Sequence, residues 1–196
     1  AFVMMDFRLR WKDSTSFTYI LPVSRRRALV EFTFFSPSPV SNSIYEEMLK
    51  RYIDQYVETG GYQILEKEAG VIPMSNFPFQ KFHENEITKI GTAGGWVKPS
   101  TGYSFKNAER FSKIVVANLK KGLTPYKGIG SIRHRKFDTI FLDILFQKNN
   151  LGPSIFSSMY RNVPTHLIFK FLDEHTNLQE DARIISAFRP CPFLQA

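Results

Sequence analysis

The stretch Ile90-Gly-Thr-Ala-Gly-Gly-Trp-Val-Lys-Pro-Ser-Thr-Gly-Tyr-Ser-Phe105 sets four glycines and a proline between an apolar run and a helical pattern. Glycine costs chain entropy, so such a cluster marks a sharp turn or a close approach of backbone to something else. Upstream, Glu86 to Ile90 reads as a short strand. Downstream, Ser104 to Lys121 reads as a helix with Phe105, Ala108, Phe111, Ser112, Val115 and Leu119 on one side and Gly122 as its stop. The unit is therefore strand, loop, helix. A helix N-terminus offers unpaired N–H groups and partial positive charge, and glycines let an anion or a polar ring reach them. By spacing alone the loop fits such a site, and fits a purely steric turn at least as well.

Working outward toward the N-terminus, residues 2–11 alternate, with Val3, Met5, Phe7, Leu9 and Trp11 on one face and Met4, Asp6, Arg8 and Arg10 on the other, the pattern of a strand. Phe17 to Val23 and Ala28 to Phe35 read as two more, joined in a hairpin by the polar turn Ser24 to Arg27. From Ser43 to Val57 the period changes to helical, with Ile44, Met48, Leu49, Tyr52, Ile53 and Tyr56 on one face. Ser43 with Glu46 forms a capping box, Glu46/Lys50 and Glu47/Arg51 are i,i+4 pairs, and Gly60-Gly61 is the stop. Tyr62 to Glu68 reads as another strand, leading to Gly70-Val-Ile-Pro-Met74.

After residue 122 the signals are helical. Phe137 to Phe146 carries an i, i+3, i+4, i+7 stripe, and Thr176 with Gln179 caps a last helix. The layout is α+β, in three parts: strands with an inserted helix (1–85), the glycine loop and its helix (86–122), and a helical tail (123–196).

The 196 residues carry a net charge of +8, with basic clusters at Ser24 to Arg27, Leu119 to Gly122 and Arg133 to Lys136. That balance favours an anionic partner, whether nucleic acid, acidic lipid or a phosphate-bearing cofactor, or it is a solvated basic surface. No arginine-rich helix, RNP-like aromatic strand or zinc-finger spacing supports nucleic acid. Cys191 is the only cysteine, and His83, His134, His166 and His175 lack metal-ligand spacing, so neither a disulfide nor a metal site is expected. Nineteen phenylalanines against eight tyrosines put most ring surface in side chains without a polar handle, which suits a large apolar core or a greasy cavity. No apolar stretch reaches the roughly 18 residues of a membrane-spanning helix.

Residues Gly91 to Tyr103 resemble the second flavin-binding motif of the flavoprotein lycopene cyclases, relatives of the hydroxylase-type FAD enzymes. Further segments match that family in order: Met5-Asp-Phe-Arg8; Leu21 to Thr33, with its glutamate and threonine; Gly70 to Met74; and Arg161-Asn-Val-Pro164, Phe171 to Leu178 and Pro192-Phe-Leu194, which are similar to the tail of the bacterial branch. The resemblance implies a fragment of an α/β, Rossmann-type FAD-binding fold, with an antiparallel substrate-domain sheet, the strand-loop-helix of the FAD domain and a helical C-terminal tail. The family opens with a strand, Gly-x-Gly-x-x-Gly and helix for the FAD pyrophosphate. Nothing here matches that element, so the chain is expected to be the C-terminal half of such an enzyme. Its partner is then the N-terminal half.

By this resemblance FAD is bound through Gly91, Thr92, Ala93, Gly94, Gly95, Pro99, Ser100, Thr101, Gly102 and Tyr103, and NAD(P)H is its reductant. Thr92 stands where the wider hydroxylase-type group carries an aspartate for the ribityl chain. A hydroxyl makes a weaker contact there. Glu31 matches the family's acid/base carboxylate, and Asp6 is a second candidate, the alternative being an ion pair with Arg8 or Arg10. From periodicity alone, Glu31 is either exposed on a half-covered strand or set in an apolar pocket. In the second case Phe32, Phe34 and Phe35 would keep its carboxyl protonated.

The implied reaction is cyclisation of the linear ψ ends of lycopene to β-ionone rings, with Phe17, Tyr19 and the neighbouring phenylalanines stabilising the cation. The implied location is cytoplasmic and peripheral, on the inner face of the cell membrane. Two other readings remain at this level: a hydroxylase-type FAD monooxygenase, and a basic binding domain without catalysis.

Overall fold

The computed structural model describes residues 2–84, 87–130 and 132–188. Its chain divides into two compact units, one formed by Ala1–Val71 with Leu145–Phe156, the other by Ile72–Ile144 with Ser157–Ala196. Among the described residues there are three strands and six α-helices, an α+β composition as expected.

The first unit is built on an antiparallel sheet in the order β1-β2-β3, with β1 at Val3–Asp6, β2 at Thr15–Ser24 and β3 at Arg27–Phe35. The hairpin forms where the sequence predicts it, closed by the Ser24–Arg27 pair, and its register sets Tyr19 opposite Glu31 and Thr18 opposite Phe32. β1 is shorter than the alternation of residues 2–11 suggests. The Arg8 N–H donates to Asp6 Oδ1 at 2.9 Å instead of entering the ladder, and Lys12, at φ 51°, turns the chain back toward β2.

Helix α1, Asn42–Tyr56, covers one face of this sheet. Leu9, Phe32, Met48 and Tyr52 form a buried core there, with Trp11, Val30, Phe34, Ile44, Leu49 and Tyr56 packed around it. Burying such a side chain stabilises the fold by about 1.5–3 kcal/mol. On the other face Phe17 meets Phe35 edge-on at 5.4 Å between ring centroids, and Phe7 and Phe156 complete the cluster. Asn149 ties its ends together: its side chain accepts from the Thr15 N–H at 2.6 Å and donates to the Phe35 carbonyl at 2.8 Å.

Local chemistry at α1 departs from the sequence reading. Ser41, not Ser43, stands at the N-cap, and its hydroxyl shares a hydrogen bond with that of Ser43 instead of capping the helix. Glu46 pairs with Lys67 at 2.8 Å and Lys50 with Asp54 at 2.6 Å, whereas Glu47 and Arg51 do approach, at 3.6 Å. The helix ends at Tyr56, ahead of Gly60-Gly61, because Val57 is already extended. Tyr62 to Glu68 is not a strand. The segment is exposed, and among the described residues no ladder partner takes its backbone groups.

The second unit contains α2, Phe105–Lys120, most of α3, Ile132–Gln147, the later part of α4, Gly152–Asn162, then α5, Thr165–Leu172, and α6, Leu178–Ser186. Gly122, at φ 64°, follows α2 as the sequence predicts. Its buried face is rotated from the expected one: Asn107 and Phe111 are enclosed, while Phe105, Ser112 and Leu119 are exposed. The last helix is capped one residue later than expected. Asn177 accepts from the Glu180 N–H at 2.9 Å and Glu180 accepts from the Asn177 N–H at 2.8 Å, because the Thr176 hydroxyl is committed to Asp181.

The strand expected before the glycine loop is absent where it is described. Glu84 and Ile87 exchange backbone hydrogen bonds at 3.0 and 3.2 Å, and the Lys89 N–H donates to His83 Nδ1 at 3.2 Å, so the backbone groups are satisfied locally. Glu86, Cys191 and Pro192 to Leu194 lie outside the described residues.

Candidate active site

Glu31 sits near the middle of β3, on the sheet face that also carries Phe17 and Phe35. Alternation places Phe32 and Phe34 on the opposite face, against α1, so they do not surround its carboxyl. The aromatic residues on its own face are Tyr19, directly across the hairpin, and Phe17 and Phe35 further along. Glu31 is half-buried, and the Tyr19 hydroxyl donates a hydrogen bond to its Oε2. Burial, this bond and the charges of Glu31 and Glu68 push the Tyr19 phenol well above its ordinary range. Tyr19 therefore stays a neutral donor and holds one oxygen of Glu31.

Asp6 belongs to the other side of the sheet. It pairs with Thr18, whose partner is Phe32, and it accepts from the Tyr52 hydroxyl of α1 at 2.6 Å and from Arg8 Nη2 at 2.5 Å. Burial raises its pKa, but the Arg8 and Tyr52 hydrogen bonds outweigh that and leave it below 3.8. Asp6 is an anion in an ion pair with Arg8. The two carboxylates singled out from the sequence are thus not brought together.

In the second unit the glycine loop starts with a 3₁₀ turn, Gly91–Gly94. Gly94 is required by contact: a Cβ there would lie 2.4 Å from the Lys89 carbonyl oxygen. Gly95, at φ 70°, donates to the Thr92 carbonyl, and the Trp96 N–H returns to Gly91. These glycines shape the loop itself. Gly91 differs: at φ 58° it has no atom within 4 Å of where a Cβ would stand, beside the opening N–H groups of a turn that have no helical acceptor.

The rest of the loop folds around Lys98. Its N–H donates to the Tyr103 carbonyl at 2.8 Å, and its carbonyl accepts from Gly102 at 2.9 Å and Thr101 at 3.3 Å. Pro99 and Ser100 lie within this turn, and Ser100 is buried with its hydroxyl on Asp138 Oδ1 at 2.5 Å. α2 is joined to the loop by Asn107, which donates to the Trp96 carbonyl at 3.2 Å, and by the Trp96–Phe111 ring contact at 5.9 Å.

The space beside Gly91, the opening N–H groups of its turn, which have no acceptor within the turn, and the lack of an acidic side chain in the first turns of both helical elements suit an electron-rich ring or polar chain of a flavin. Thr92 and Ala93 lie on the same turn as Gly91. The residues present fit part of such a cofactor.

A buried polar cluster that the sequence reading did not anticipate adjoins the loop. Lys98 Nζ lies 2.8 Å from Asp138 Oδ1 and 4.9 Å from the centroid of the Phe171 ring. On α3, His134 stands one turn before Asp138 and contacts Thr176 Oγ1 at 3.2 Å; Thr176 donates to Asp181 at 2.5 Å. Burial, then the Lys98 charge, push the His134 pKa down to about 4, against the opposing pull of Asp181. Burial raises that of Glu174, whose backbone is held at φ 58°. The available signal is the polar pair His134/Asp138 at i,i+4, on a helix whose apolar stripe lies at other positions.

A family model described as Lycopene cyclase protein matches residues 1–196. A lycopene beta-cyclase of Paracoccus sp. (strain N81106 / MBIC 01143) is 23% identical over 207 residues, covering 97% of this chain and 52% of that protein. A lycopene beta-cyclase of Pantoea ananas is 26% identical over 213 residues, covering 99% and 53%. A chloroplastic neoxanthin synthase of Solanum tuberosum is 29% identical over 110 residues, covering 55% of this chain and 21% of that protein. The chain spans about half the length of the two cyclases it matches. No solved structure matches it significantly.

Proposed function

Since the chain belongs to the lycopene cyclase family, we propose that it supplies the acid/base carboxyl and part of the flavin site of a lycopene β-cyclase. The observation that carries this reading is the Tyr19–Glu31 pair on an aromatic sheet face.

The reaction asks one group to give a proton to a very poor base. Glu31 protonates C2 of the terminal alkene, leaving the cation at C1. The C5=C6 double bond attacks, the C1–C6 bond forms and the charge moves to C5. The Glu31 carboxylate takes the proton from C6, which restores a double bond and the acid form of Glu31, so the product is an isomer of the substrate with no net oxidation. Tyr19 fixes which carboxyl oxygen faces the alkene, and its ring, with those of Phe17 and Phe35, stabilises positive charge by about 0.5–2 kcal/mol each without trapping it. Asp6, an anion held by Arg8 on the far face of the sheet, is in this scheme a support of the β1–α1 contact.

Gly91, Thr92 and Ala93 would offer backbone N–H groups and the Thr92 hydroxyl to the flavin, with Gly102 and Tyr103 completing the loop. A reduced flavin bound there, kept in its reduced form by NAD(P)H, would supply negative charge that steadies a carbocation without being consumed. No helix among the described residues is long and apolar enough to cross a membrane. We assign the anionic membrane face, where the polyene is met, to the exposed hairpin tip, Leu21 and Val23 beside Arg25, Arg26 and Arg27.

The test is a cyclisation assay of the full-length protein containing this chain, with lycopene and reduced flavin. Glu31→Gln should lower the rate by about 10²–10⁴-fold. A rate equal to that of the wild type would remove Glu31 from the mechanism. Oxygen-dependent NAD(P)H consumption yielding an oxygenated product would assign a monooxygenase instead.

A further inference from the structure

Lys98 is a fully enclosed lysine in the middle of a loop, and one carboxylate accounts for its position. Asp138 of α3 meets Lys98 Nζ at 2.8 Å and accepts from Ser100 at 2.5 Å, both on Oδ1, while Asp138 itself is 1% exposed. Lys98 is also the backbone hub of the turn that follows, bonded to Thr101, Gly102 and Tyr103. The Phe171 ring lies against its ammonium on another side. A buried ion pair is a weak source of stability, because desolvating both charges offsets much of their attraction, and an apolar pair of similar volume often serves the fold as well. What an apolar pair cannot do is fix two points of a loop to one oxygen atom.

We propose that Lys98 is the positioning residue of the glycine loop, with Asp138 acting through it and through Ser100 to hold residues 98–103 in the conformation that receives the ligand. The inference rests on the flavin reading for the identity of that ligand, and on geometry alone for the anchoring. Ser100 and Lys98 then serve the site from beneath, bonded to α3, and the ligand contacts fall to the half-buried Thr101, Gly102 and Tyr103 of the same loop.

The experiment uses the full-length protein and three readouts: thermal melting, amide hydrogen exchange at Gly102 and Tyr103, and the Kd for FAD from flavin fluorescence. The double variant Lys98→Met/Asp138→Leu removes both charges at similar volume, so it should melt close to the wild type. Its loop amides should exchange at least tenfold faster, and its Kd should rise at least tenfold. Ser100→Ala keeps the ion pair and removes the second tie to Asp138. It should shift both readouts in the same direction by a smaller factor, and it decides the question if the double variant does not fold. Wild-type exchange and wild-type Kd in a folded variant would overturn the inference. If the wild-type protein binds no FAD, the cofactor reading falls, and the exchange readout by itself upholds or overturns the anchoring.

Discussion

Tyr19 and Glu31 form a donor–acceptor pair that follows from the hairpin register alone: once Ser24 and Arg27 close the turn, residue 19 stands opposite residue 31. Tyr19→Phe keeps the ring and removes the hydroxyl. With one hydrogen bond worth about 0.5–1.5 kcal/mol, cyclisation should slow by about three- to tenfold, measured as kcat with folding intact. His134 makes a different kind of prediction. It is protonated in the unfolded chain below 6.5 but in the folded protein only near 4, so the unfolded state binds more protons between those values. Its contribution to stability is present above pH 6.5 and is lost as pH falls toward 4. Urea titrations should show this slope, and His134→Gln should flatten it. At this scale Glu31 was legible only through family resemblance, since alternation by itself leaves an exposed residue and a pocket residue alike. Lys98 lies within the glycine motif, but nothing in the sequence indicates that its ammonium is enclosed.

Elements with their own period were readable: the hairpin, α1, α2 and α3 all stand within a few residues of their expected places. Their ends were less so, because a cap depends on which side chain is free. Thr176 is spent on Asp181, which leaves Asn177 to cap α6. The strands expected at Tyr62 to Glu68 and before the glycine loop fail for a related reason, as alternation describes a side-chain pattern and not the neighbour a strand needs. The 3₁₀ turn Asn149–Leu151 shows the converse, an element without any periodicity that fastens β2 to β3. Asn149→Ala strands the Thr15 N–H and the Phe35 carbonyl, both inside the fold. The cost should be about 2–3 kcal/mol, read as a lower urea midpoint with an unchanged m-value.

Across the whole molecule, composition foretold a basic protein with much aromatic surface, the order of strand and helix periods foretold an α+β layout, and the family match over residues 1–196 agrees with the ordered motifs. Composition could not foretell how that aromatic surface is divided, with one set of rings under α1 and another on the opposite face of the sheet. Nor could it say that chain distant in sequence would return to a unit, as Leu145–Phe156 returns to the sheet. The exposed run from Tyr62 to Ile72, which includes Ile64, Leu65 and Val71, carries a practical consequence. Prepared by itself, this chain presents an irregular segment with exposed apolar side chains whose backbone groups have no ladder partner among the described residues, a template for self-association. Its charge of +8 opposes that association. Salt shortens the reach of that repulsion, so raising ionic strength from about 0.05 to 0.5 M should increase light scattering by the isolated chain, and Leu65→Lys should suppress the rise. The same stretch thereby sets the colloidal behaviour of the polypeptide.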